Sequence, residues 1–261
     1  MKMWIYFQRL RFVWIIVFAG MALSACATLS KARMWLAPAM SGMERVEPGL
    51  VLETPVLNST LAQAHGLQNA AAQLFRVVWV ERQSSPELWL CQTEVCYQRL
   101  GGGSPIAQSL GYSRTLLSPR GHSAGILAHE WWHAELWRRI GLTKVSAIPR
   151  WFDEGVAVWV SQETRHSENM YQRVLAKGIV PPRLDELVTF KDWDEAVGRY
   201  GDHLKASDSE DVNVVYPTAG HEVRRWIGLV GVEGLRRLVD QVATGRDFFT
   251  VYAALEQEVR R

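Results

Sequence analysis

The sequence predicts an α+β fold, a small mixed sheet with helices followed by a helical C-terminal lobe. Three observations point there. Short β-branched and aromatic runs fall only in the first half, at residues 76–80, 88–91 and 113–117. Apolar residues recur at three and four across Asn58–Phe75, the spacing of one helix face. From Ser123 onward the patterned segments are helical. No period of about 20–50 residues repeats, which argues against a solenoid.

The amino terminus carries Lys2, Arg9 and Arg11, then an apolar run, then Leu23-Ser24-Ala25-Cys26. The run is too short to span a bilayer and ends in small residues, the layout of an export signal over residues 1–25. The Leu-Ser-Ala-Cys ending resembles the lipobox of bacterial lipoproteins. That resemblance implies cleavage before Cys26, lipid on its thiol, and a stable membrane anchor without a spanning helix. Ala27, rather than an aspartate, implies by the same resemblance the cell envelope, on the periplasmic face of the outer membrane. The plain alternative is a secreted protein with a chance cysteine. Residues 1–25 hold three of the 29 Lys+Arg and none of the 27 Asp+Glu, so the remainder has 26 against 27, a net of −1. No basic stripe survives, and no nucleic-acid partner is expected.

Residues 26–50 mix Ser, Pro, Gly and Met without periodicity and read as a tether. One domain is expected over 51–261, with the sheet and the helix that opens at Ser123 in 51–140 and the helical lobe in 141–261. Asn58 or Ser59 is a candidate cap for the first helix. Residues 76–80, 88–91 and 113–117 read as strands, the last as a sheet edge bordering the cleft. A helical turn is expected near 94–100, before Gly101-Gly102-Gly103. Outside the cytoplasm Cys91 and Cys96 favour a disulfide, with metal binding or redox chemistry as the alternative.

His129-Glu130-Trp131-Trp132-His133 carries the chemistry. Four residues of helix advance about 400°, so the two imidazoles share one face and can reach a single cation. Glu130 is turned about 100° away, flanking such an ion as a base for water. The helix should open at Ser123 and stop at Gly141. It is apolar on nearly every face, hence buried. The bland alternative is a core helix whose histidines are merely hydrogen-bonded. A second helix should open near residues 149–151 and carry Trp151-Phe152-Asp153-Glu154-Gly155-Val156-Ala157.

These two blocks together resemble the gluzincin metallopeptidases, H-E-x-x-H followed by W-x-x-E-G-x-A on the next helix. The resemblance implies a zincin fold, a bound Zn²⁺ held by His129, His133 and Glu154, and Glu130 as general base. Asp153 either accepts a hydrogen bond from a ligand histidine or simply favours the helix N-terminus by its charge. Tyr216, at a remove from Glu154 similar to that in the aminopeptidase branch, is implied as oxyanion donor; a core tyrosine or His221 in that role are the alternatives. Gluzincin edge strands hold extended substrate by backbone pairing, and residues 114–117 are the candidate.

Residues 164–212 are polar, with short helices expected at 184–187 and 193–197 and an exposed loop at 201–211 that a latent enzyme would use as a cover. His166 and His203 read as surface histidines. Two packed helices and a last one at 248–255 close the chain. No G-x-M-E-N-type exopeptidase motif occurs, so the expected activity is endopeptidase, with a protein or peptide substrate. Rival readings are a non-catalytic envelope lipoprotein that keeps the scaffold to bind a partner, and hydrolysis of a non-peptide amide in the cell wall.

Overall fold

The computed structural model describes residues 37–200 and 214–261. The export signal, Cys26, the first part of the tether, His203 and the 201–211 loop lie outside the described residues.

The fold is α+β, with a five-stranded mixed sheet in the order β1-β2-β3-β5-β4. β1 (Met43–Glu47) and β2 (Leu50–Glu53) form an antiparallel hairpin. Its turn uses Gly49 at φ 85°, a conformation that side chains resist. β3 (Glu87–Leu90) runs parallel to β2, and β5 (Arg114–Leu117) runs parallel to β3. β4 (Ala107–Leu110) closes the order antiparallel to β5.

Three sequence expectations are corrected here. Residues 37–50 are not a tether, because they supply β1, and Met43 and Leu50 are fully buried. Their strands are too short for alternation to register, and turn glycines made them look like linker. Residues 76–80 are not a strand. They form a turn that buries Val78 and Trp79 after the helix, with Trp79 stacked 5.5 Å from Trp132. Finally, residues 114–117 lie inside the sheet, and the edge beside the helix that carries His129 and His133 is β4.

Among the described residues there are eight α-helices. α1 (Asn58–Phe75) begins without a side-chain cap, since Leu57 holds that position rather than Asn58 or Ser59. α2 (Glu94–Arg99) is capped by Thr93, whose hydroxyl accepts from the Cys96 amide. α3 (Ala124–Ile140) opens at Ser123, which accepts from the Gly125 amide, and stops at Gly141 at φ 89°. α4 (Arg150–Ser161), α5 (Glu168–Ala176), α6 (Phe190–Tyr200), α7 (Val215–Ala243) and α8 (Phe248–Val259) make the lobe. Gly231, at φ 71°, breaks α7 into the two expected helical pieces.

α3 packs on β4, β5, α1 and α4, which explains its all-round apolar sequence. Trp132 and Phe152 are fully inaccessible, and each such side chain contributes about 1.5–3 kcal/mol of burial. α4 lies against both α3 and α7. Its approach to α7 needs Gly155, because a Cβ there would sit 2.6 Å from the Ala219 carbonyl oxygen. No helix among the described residues is long and apolar enough to cross a membrane.

Candidate metal centre

One turn of α3 separates His129 from His133, and their ring centroids lie 4.9 Å apart. The start of the second turn of α4 brings Glu154 to the same point. Its Oε2 stands 3.2 Å from His129 Nε2 and 3.7 Å from His133 Nε2. One ligand atom from each residue lies within 4.8 Å of the other two. Glu154 Oε2 is buried and accepts no hydrogen bond among the described residues. A buried carboxylate oxygen without a donor is costly unless something else satisfies it. Two imidazole nitrogens and that oxygen form an N₂O donor set suited to a divalent ion such as Zn²⁺. A second grouping of ligand-type residues among the described residues, Glu53 with Cys91 and Cys96, has its sulfurs joined in a disulfide with Cα atoms 5.6 Å apart.

The centre is braced from behind. Asp153 Oδ1 accepts from His133 Nδ1 at 2.7 Å and from Trp132 Nε1 at 3.0 Å. This bond fixes the His133 ring with Nε2 turned toward Glu154. Arg150 Nη1 donates to Asp153 Oδ2 at 2.5 Å, and Arg150 Nη2 pairs with Glu154 Oε1. Sequence reading missed Arg150, although its positions three and four residues before two carboxylates are a helix-pairing signal. Burial works against the charge of His133, yet Asp153 and Glu154 outweigh it and push the imidazole up to about 10. Burial likewise opposes ionisation of Glu154, and Arg150 with His133 overcomes it, holding the carboxyl well below its ordinary range.

A cavity of about 210 Å³ opens beside the His129 imidazole; His133 and Glu154 stand behind it and do not line it. Glu130 lines it, together with His129, Ile106, Ala107, Ile126, Arg165, His166 and Tyr216. The backbone carbonyl of Glu130 accepts from Ser109 Oγ at 2.6 Å, tying α3 to β4. Tyr216, in the first turn of α7, has its ring 6.5 Å from that of His129. Burial, with the charge of Glu154 adding to it, pushes the phenol above its ordinary value, so it stays a donor.

His166 is not a surface histidine. It is 7 % exposed and stacks on Tyr216, rings 4.8 Å apart and nearly parallel. Its polar sequence neighbours concealed a burial that only the packing of α7 creates. That burial, with Arg165 and His129 nearby, drives its pKa well down. His221 is engaged elsewhere: Glu168 sits 2.9 Å from its Nδ1 and Tyr171 stacks on it at 4.0 Å. It does not line the cavity.

Comparison with protein-family models, with curated proteins and with solved structures gives no match to this chain.

Proposed function

We propose that the protein is a zinc-dependent hydrolase of peptide bonds. The observation that carries this reading is the convergence of His129 Nε2, His133 Nε2 and the donor-free Glu154 Oε2 beside a cavity that Glu130 lines. His129, His133 and Glu154 would hold the ion. Bound there, Zn²⁺ supplies Lewis-acid polarisation of a carbonyl and makes water more acidic. Glu130 accepts the proton of the attacking water and returns it to the leaving amine, so that water and amide become acid and amine. Tyr216 donates its O–H to the carbonyl oxygen as negative charge develops. Asp153 keeps His133 in the tautomer that presents Nε2.

The decisive comparison is metal content and hydrolysis of an unfolded protein, wild type against Glu130→Gln. The wild type should carry about one Zn²⁺ per chain. Glu130→Gln should keep the metal and lose roughly 10²–10⁴-fold in turnover. Equal activity in both removes Glu130 from the chemistry. Metal in both with activity in neither favours a scaffold that binds a partner.

The Leu23-Ser24-Ala25-Cys26 ending supports a lipid anchor in the cell envelope. Cys26→Ser should move the protein from the membrane fraction to the soluble one. Retention with the membrane fraction would refute the anchor.

A further inference from the structure

A carboxylate can give a cation one oxygen or two. Larger oxygen-seeking ions gather six or more oxygens, often by taking a carboxylate in bidentate fashion. At this centre the two oxygens of Glu154 are already divided. Oε1 is paired with Arg150 Nη2, and Oε2 alone faces the imidazoles. Asp153 is divided in the same way, Oδ1 toward His133 and Trp132, Oδ2 toward Arg150. One guanidinium therefore grips two consecutive carboxylates. Its rigid planar fork permits this, whereas an ammonium is a single point of charge. The fork is itself held, lying 4.4 Å from the Phe190 ring on α6 with only 17 % of the side chain exposed. With both imidazoles neutral, as metal ligation requires, one positive charge beside two negative ones leaves the cluster at −1, a weak attraction for ions that rely on carboxylate charge alone.

We infer that Arg150 is a positioning residue that restricts Glu154 to one-oxygen ligation and thereby sets the centre for a four-coordinate ion on two imidazoles. The inference rests on the metal-centre reading above. Arg150 acts only through Glu154 and Asp153, on the side where the guanidinium meets them. Without it, the freed Oε1 swings onto the ion and raises its coordination number.

Co²⁺ tests this by colour, independently of turnover, because its visible absorption is strong in four-coordinate sites and weak at higher coordination. The full chain is loaded with Co²⁺ as wild type, Arg150→Met and Arg150→Lys, with metal content and circular dichroism recorded for each. The wild type should show the strong band. Arg150→Met should bind one Co²⁺ with the band several-fold weaker, and Arg150→Lys should lie between. If Arg150→Met fails to fold, Arg150→Lys decides: a weakened band supports the inference, and an unchanged band overturns it. Equal band intensity in the wild type and a folded Arg150→Met also overturns it, while leaving the metal centre intact. Failure of the wild type to take up Co²⁺ overturns the metal reading and this inference together.

Discussion

The phenol of Tyr216 is placed by rings on two sides. His166 stacks on one face, and the Trp193 ring meets it edge-on at 5.0 Å. Tyr216→Phe keeps both ring contacts and removes the phenol oxygen, with its hydrogen bond to Trp193. It should lower kcat/KM by roughly 10²–10³ with metal content unchanged, the cost of one oxyanion donor. Unchanged turnover would return Tyr216 to the role of a core residue. At this scale the residues at fixed helical spacing were legible. His129 and His133 declare themselves by a four-residue interval, and Glu154 by the block around it. Arg150 and His166 did not, because what singles them out is a partner from elsewhere in the chain. A buried histidine and an exposed one look alike in sequence when the covering helix starts fifty residues later.

Among elements, α3 was read with its start and stop because Ser123 and Gly141 punctuate it, and α4 was read by its start near Pro149 alone. β1, β4 and α5 were not. Ala107-Gln108-Ser109-Leu110 has neither β-branched residues nor alternation, and becomes a strand by pairing with β5. α5 lies in a polar stretch and buries only Met170 and Val174. The contact of α4 with α7 is the most demanding in the lobe. A Cβ at Gly155 would meet both the Ala219 carbonyl and Val223 Cγ2 at 2.6 Å. Gly155→Ala should therefore cost about 1–3 kcal/mol by overpacking, less the small gain in helix propensity. Urea unfolding of the two proteins measures it, and an unchanged midpoint would show that the helices separate freely.

The whole molecule should answer to pH through His166. Its folded-state pKa is depressed by burial, with Arg165 and His129 adding to the effect, while the unfolded chain binds the proton near its ordinary 6.5. Above that value neither state is protonated, and the contribution to stability is fully present. As pH falls below it, the unfolded state takes up a proton that the folded state refuses. Stability then drops, at up to about 1.4 kcal/mol per pH unit, until the folded pKa is reached. His133 has the opposite tendency, so the comparison must be made against a variant. His166→Gln should lose less stability than the wild type between about pH 7.5 and 5.5, as read from urea midpoints. Equal losses would mean that His166 takes its proton freely. The change from strand-like to helical patterning after Ser123 was visible in the sequence. The start of the domain was not, because the hairpin of β1 and β2 is recognisable only once β3 lies beside it.

Ser109 adds one more link. It sits on the outermost strand, and its hydroxyl holds the backbone of the very residue assigned to shuttle the proton. A ligand laid along that rim strand would push on the proton carrier through a single side chain. If Glu130 is the base proposed above, occupancy of the rim and the aim of that base are mechanically linked, and a poorly seated chain would be hydrolysed slowly.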